Sequence, residues 1–189
     1  MVGRKVEPVQ GRTVLILGLG KTGQAVARRA RAMGMTTLGV RARPALTPEL
    51  DEVRAVDALP VLWSRADFIV CCVPLLESTR GLVGAQAFAA MKPSAVLIDV
   101  SRGGVVDQAA LMTALEAGSI KGAALDVFAV EPLPADHPLW GYDNVIVTPH
   151  CSSVYDGWDV ESIRMFAENL ARYRRGEPLA NIVDPVRGY

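Results

Sequence analysis

A chain of 189 residues suits one domain, or one domain with an appendage, and is long enough to bury a sizeable core. Half of its residues are hydrophobic, and its 20 acids balance its 20 lysines and arginines, so no global charge argues for nucleic acid or an acidic membrane surface as partner. Residues 1–12 are polar with no apolar signal core, and no apolar run approaches the length of a bilayer span, which makes the cytoplasm the expected compartment and small molecules the expected partners.

The first apolar run, Thr13-Val14-Leu15-Ile16-Leu17, leads into Gly18-Leu19-Gly20-Lys21-Thr22-Gly23 and then a helix-like segment at residues 24–33. Strand, glycine turn and helix in that order read as a dinucleotide site. The first glycine permits a tight turn, the second lets backbone approach a pyrophosphate, and the third lets helix and strand pack closely. The helix's free N–H groups then meet the anion. A glycine turn of this kind also occurs for packing alone, so the residues beyond it decide the reading. A second run, residues 35–40, ends in Arg41-Ala42-Arg43-Pro44. An NAD site places a carboxylate there, on the ribose hydroxyls. Two guanidinium forks instead suit a 2′-phosphate, which predicts NADP(H) as the preferred cofactor with NAD(H) possible.

Further runs fall at residues 67–73, 95–100, 122–128 and 144–148. They are short and continuous, as expected of strands covered on both faces, and helix signals separate them. The fold expected is α/β, a doubly wound parallel sheet. Cys71 and Cys72 lie inside one run and Cys151 stands alone; the three fit no disulfide framework or metal cluster and read as buried reduced thiols. Asp107 is the expected N-cap of the clearest helix, in which Leu111 and Leu115 share a face and Gly118 supplies the stop. Right-handed crossovers place every strand's C-terminal end on one edge of the sheet, where ligands bind.

Three groups with chemistry fall at that edge. Arg102, in Ser101-Arg102-Gly103-Gly104, offers a fork for a carboxylate. Glu131 lies five residues beyond Asp126, which is near the end of its strand, and His150 closes Val147-Thr148-Pro149-His150. Together they supply what reversible hydride transfer to a 2-oxo acid requires: a clamp, a proton donor, and an acid that favours the donor's imidazolium form. His137, the other of two histidines, sits in a proline-rich loop and reads as structural. Beyond Pro149 the pattern changes. Residues 158–175 are helical in period, with Ile163, Phe166 and Leu170 on one stripe, and residues 179–189 read as an extended tail.

These motifs, with Val73-Pro74-Leu75, Thr79-Arg80-Gly81-Leu82, Met91-Lys92-Pro93, Ala123-Ala124-Leu125-Asp126-Val127-Phe128 and Glu131-Pro132-Leu133, resemble the D-isomer-specific 2-hydroxyacid dehydrogenases, in order, over most of the chain. The basic pair Arg41 and Arg43 and the Gly188-Tyr189 ending are similar to the NADPH-dependent glyoxylate and hydroxypyruvate reductases of that family. The resemblance implies that Arg102 binds the substrate's carboxylate and carbonyl, that His150 exchanges the proton and that Glu131 pairs with it. It implies cofactor contacts at Gly18, Gly20, Lys21, Thr22, Gly23, Arg41, Arg43, Val73, Pro74, Thr79, Val100, Ser101, Arg102, Asp126, His150 and Ser153, with Asp126 on the nicotinamide carboxamide and no metal. It further implies a homodimer through the cofactor domain.

The domain reading is a dinucleotide-binding domain at 1–149 and a C-terminal segment at 150–189. In the family that segment returns to a substrate domain whose N-terminal part precedes the glycine motif, and here about a dozen residues precede the first strand. The expectation is therefore an NADP(H)-linked oxidoreductase of small 2-oxo and 2-hydroxy acids, or a truncated form of one, with an exposed apolar stripe on residues 158–175. A second expectation stays open: a dinucleotide-binding module without turnover, similar to the co-repressors that share this fold.

Overall fold

The computed structural model describes residues 7–185 and 188; Tyr189 of the C-terminal motif lies outside the described residues. The chain divides into two compact units, Met1–Pro149 and His150–Tyr189.

The first unit is a seven-stranded sheet in the order β3-β2-β1-β4-β5-β6-β7. Its strands are β1 (Thr13–Leu17), β2 (Thr36–Val40), β3 (Glu52–Arg54), β4 (Phe68–Cys71), β5 (Val96–Asp99), β6 (Gly122–Leu125) and β7 (Val145–Val147). Every pairing is parallel, so all the C-terminal ends share one edge. Between the strands run α1 (Lys21–Ala32), the short α2 (Leu59–Leu62), α3 (Ala85–Ala90) and α4 (Gln108–Glu116).

Alternation along the strands feeds a separate core on each face. Val14, Ile16 and Val70 pack with Ala27 and Ala30 of α1. Leu15, Leu17, Leu38, Val40, Ile69, Leu97 and Leu125 pack with Leu59, Leu62, Phe88, Leu111 and Leu115 from α2, α3 and α4. The doubly wound parallel sheet expected from the sequence is thus present. Its coverage is uneven, however. α1 packs over β1 and β2, and Ile146, on the same face but at the far edge strand, is 66% exposed. The expectation of strands covered on both faces therefore fails at β7.

Several local expectations hold in detail. Asp107 caps α4 by accepting from the N–H groups of Ala109 and Ala110 at 3.0 and 3.1 Å. Gly118, just past the helix, takes φ +63°, the left-handed conformation that glycine adopts without cost. His137 is structural: its Nδ1 accepts from the Leu139 N–H at 3.2 Å and caps the turn at Pro138–Gly141. Two expectations need correction. α1 begins at Lys21, directly on the glycine turn, three residues before the segment read from periodicity. Cys71 is buried and Cys72 half-buried, but Cys151 is exposed, because it lies in a loop of the second unit and outside any core strand.

The second unit is built on α5 (Trp158–Arg174). Asn169 clips its tail by donating to the Ala180 carbonyl and accepting from the Ala180 N–H, each at 2.9 Å. Arg164 pairs with both Glu161 and Glu168 along the helix. Ile163, Phe166 and Leu170 are exposed, and α5 has no buried residue. Among the described residues no helix is long and apolar enough to cross a membrane.

Candidate cofactor and substrate site

The glycine turn can be read position by position. Gly18 takes φ +90°, and a Cβ there would stand 2.8 Å from both the Cys72 carbonyl oxygen and the Val73 Cγ1. A Cβ on Gly23 would stand 1.9 Å from the Gly18 carbonyl oxygen, so only glycine lets α1 pack so closely on the turn. Gly20 differs, since a Cβ there would meet nothing within 4 Å. Gly20 is also the N-cap of α1, with no side-chain cap and no acid in the first turn. A twelve-residue helix thus starts at a glycine whose Cβ position is open, with the positive end of the helix dipole behind it, the arrangement that receives an anion.

Arg41 and Arg43 follow β2 at the same edge. Neither guanidinium has a hydrogen-bond or ion-pair partner among the described residues, whereas nearby Arg28 and Arg31 pair with Glu49 and Asp51. Val73 and Pro74 follow β4 against the glycine turn, half-buried. Thr79 has its hydroxyl committed inside that loop: Oγ1 donates to the Pro74 carbonyl at 2.6 Å and accepts from the Leu76 N–H at 2.8 Å. It shapes the loop that carries Val73 and Pro74.

At the other half of the edge two carboxylates are buried. Asp99, ending β5, accepts at one oxygen from the Ser101 N–H at 3.0 Å and from the Ser101 hydroxyl at 2.5 Å. Burial pushes its carboxyl above the ordinary range, against the pull of the two Ser101 hydrogen bonds, and the charge of Asp126 adds to the rise. Asp126, one residue past β6, accepts from the Thr148 hydroxyl at 2.5 Å, which ties the end of β7 to the end of β6. The same burial pushes the Cys71 thiol well up and the Cys72 thiol to about 11, the Asp99 charge adding in both. Both are inert as nucleophiles near neutral pH.

From this buried layer the loop at residues 101–104 rises. Ser101 is buried, Val100 half-buried, and Arg102 exposed with one terminal nitrogen donating to the Ser101 carbonyl at 2.7 Å. Gly103 seats the loop: a Cβ there would stand 1.7 Å from the Phe128 carbonyl oxygen. Glu131 accepts from the N–H of that same Phe128 at 2.9 Å. Gly103, next to Arg102, and the Glu131 carboxylate therefore both meet the Phe128 backbone. His150 and Ser153 belong to the second unit, and the His150 backbone takes φ +52°, an uncommon conformation outside glycine. Asp99, Gly103 and Thr148 were not singled out from sequence for these positioning roles. The Asp-x-Ser spacing at 99–101, a pattern in which a carboxylate binds backbone and hydroxyl two residues on, was the available signal for the first.

Comparison with known proteins agrees with this geometry. The family model described as D-isomer specific 2-hydroxyacid dehydrogenase, NAD binding domain, matches residues 3–152. D-3-phosphoglycerate dehydrogenase of Methanocaldococcus jannaschii is 41% identical over 177 residues, 92% of this chain and 33% of that protein. Glyoxylate reductase of Korarchaeum cryptofilum is 40% identical over 181 residues, 93% of this chain and 53% of that protein. The crystal structure of a D-isomer specific 2-hydroxyacid dehydrogenase from Xanthobacter autotrophicus Py2, in complex with NADPH and MES, superposes with a TM-score of 0.90 at 39% identity, covering 99% of this chain and 77% of that one. The chain thus spans between a third and about half the length of the two curated relatives. A parallel sheet whose edge joins a glycine-lined helix terminus to Arg102, Glu131 and a pair of buried carboxylates matches what the sequence comparison finds, and the chain belongs to the D-isomer-specific 2-hydroxyacid dehydrogenases, whose NAD-binding domain it carries.

Proposed function

We propose that this chain supplies the cofactor site and the catalytic residues for NADP(H)-linked reduction of a small 2-oxo acid such as glyoxylate or hydroxypyruvate. The observation that carries the reading is that Gly103, next to Arg102 in the chain, packs against the Phe128 carbonyl while Glu131 accepts from the Phe128 N–H. The cofactor, when bound, supplies the hydride that adds to the carbonyl carbon. Arg102 then holds the substrate carboxylate through its fork. His150 donates a proton to the carbonyl oxygen as it becomes an alkoxide, with Glu131 as its partner acid. Asp126 holds the nicotinamide carboxamide, Val100 and Ser101 line the same end, and Ser153 is a further cofactor contact.

NADP(H) over NAD(H) follows from Arg41 and Arg43, whose forks are uncommitted where an NAD site carries an acid. The NADPH complex of the Xanthobacter autotrophicus relative is in keeping with that preference. In the same proposal, residues 150–189 form the segment that joins a substrate domain, the protein is a cytoplasmic homodimer through the cofactor domain, and light scattering reads the dimer.

The test is a titration of NADPH and NADH followed by an NADPH-oxidation assay with glyoxylate and hydroxypyruvate. Tighter NADPH binding and turnover lost in His150→Gln support the reading. Equal affinity for the two cofactors overturns the preference, and tight NADPH binding with no turnover by the protein overturns catalysis in favour of a binding module.

A further inference from the structure

We propose that Arg54 is a third guanidinium of the ribose-phosphate site and that Glu52 tempers its strength, an inference that rests on the proposed NADP(H) preference. β3 was not visible in the sequence, and it is β3 that delivers this residue. Parallel register sets Arg54 beside Val40, and the Arg41 N–H donates to the Arg54 carbonyl at 3.2 Å. Neighbouring strands lie about 4.8 Å apart, so Arg54 leaves the ligand edge one strand-width from the turn that carries Arg41 and Arg43. Val53 packs into the α1-side core, so Glu52 and Arg54 project from the opposite face.

There Glu52 joins two arginines. Arg54 Nε donates to its Oε1 at 2.7 Å, and Arg65 donates to Oε2 at 2.6 Å and to Oε1 at 3.2 Å. The Arg54 bond uses Nε alone. Its two terminal amino groups are uncommitted among the described residues, and its side chain is 60% exposed. A guanidinium held by a carboxylate on its Nε edge presents a pre-oriented fork to a second anion on the other.

The charge balance around the fork points the same way. Glu49 and Asp51 face Arg28 and Arg31, and Asp51 also accepts from the Thr37 N–H at the far end of β2. What remains near the β2 and β3 ends is Arg41, Arg43, Arg54 and Arg65 against Glu52 and Asp57, a cationic surplus that fits a dianionic phosphomonoester. Arg65 and Arg54 hold Glu52 at about 2, so it stays an anion at working pH and opposes the phosphate throughout.

The experiment titrates the full chain with NADPH, NADH and 2′,5′-ADP, with melting temperature as the control on folding. Arg54→Ala is expected to weaken NADPH and 2′,5′-ADP about tenfold and to leave NADH within about twofold, the loss of one charge-assisted contact. Arg54→Lys, which keeps the charge without the fork, falls between. Glu52→Gln removes the opposing charge and tightens NADPH about threefold, whereas a purely structural ion pair predicts no gain. An NADPH to NADH ratio that survives Arg54→Ala and Arg54→Lys but collapses in Arg41→Ala overturns the inference and leaves the cofactor reading standing. A parent protein without preference overturns both.

Discussion

The two halves of the sheet edge are built on opposite principles. At the ends of β1, β2 and β3 the structure presents positive charge to solvent: the bare start of α1 and the guanidiniums of Arg41 and Arg43. At the ends of β5 and β6 it buries negative charge, with Asp99 and Asp126 at 2% and 3% exposure, pinned by the hydroxyls of Ser101 and Thr148. The first half is an open cationic surface, of the kind that attracts phosphates. The second is arranged to hold backbone and neutral groups in place, since a buried carboxylate is costly unless hydrogen bonds repay it. One edge thus separates an open cationic end from a buried anionic one, and Arg102 rises from the second as its exposed cation.

The comparison breaks most severely at the glycines that hold each half together. Gly103→Ala places a Cβ 1.7 Å from the Phe128 carbonyl and Gly23→Ala one 1.9 Å from the Gly18 carbonyl. Neither obstacle is a flexible side chain, so each substitution is expected to cost about 3 kcal/mol or more. Urea denaturation reads the loss, and an unchanged midpoint for either variant refutes the close contact. Gly103→Ala is expected in addition to lift Arg102 from its seat, abolishing any turnover.

Gly20 gives the sharper contrast. A Cβ there meets nothing, so Gly20→Ala is expected to cost only the helix N-cap preference of glycine over alanine, about 1 kcal/mol, and to lower the melting temperature by about 2–4 °C. NADPH affinity falls at least about tenfold, because the methyl occupies the space through which backbone meets pyrophosphate. Loss of stability without loss of affinity places the phosphate elsewhere.

Asp67 supports the first half from behind. Its carboxylate accepts from the Thr13 N–H at 2.8 Å and from Lys92 at 2.9 Å, stitching the starts of β1 and β4. Burial works to raise its proton affinity, but the Thr13 hydrogen bond, Lys92 and Arg12 outweigh it, and the carboxyl lies below the ordinary range. A depressed folded value means that the stabilisation is complete above the unfolded value, about 3.9, and is lost as pH falls through the folded value. Asp67→Asn is expected to cost about 1–2 kcal/mol at pH 7 and to flatten the acid limb of stability below about pH 4. An acid limb as steep as the parent's removes Asp67 from that role.

These contrasts also show which physical signals a sequence carries. The tight turn at Gly18 and the close packing at Gly23 were readable because each follows from the position of a glycine between a strand and a helix. Asp107 was readable because N-capping is local. β3 was not, because Glu52-Val53-Arg54 holds one apolar residue and has no period to detect. The contact of Gly103 with Phe128 and the tie from Thr148 to Asp126 join residues more than twenty positions apart. Nothing in their local composition announces a partner that only the sheet brings near. Cys151 was misjudged for a related reason: burial is a property of the element, and its loop lies beyond the last strand of the first unit.

The smallest expected effect tests the second half most directly. Asn in place of Asp99 keeps an oxygen that accepts from both the Ser101 N–H and its hydroxyl, so the loop that carries Arg102 is expected to stay seated. What changes is charge. The folded carboxyl titrates above its unfolded value because burial disfavours the anion and Asp126 repels it. Such a group costs nothing below the unfolded value, and the cost grows as pH rises through it, reaching its full size above the folded value. Asp99→Asn therefore gains stability at neutral pH, on the order of 1 kcal/mol, and gains none near pH 3. A variant destabilised at pH 7 assigns the anion itself, and with it a charged grip on Ser101, to the positioning of Arg102; a variant stabilised there shows that the loop needs only the acceptor.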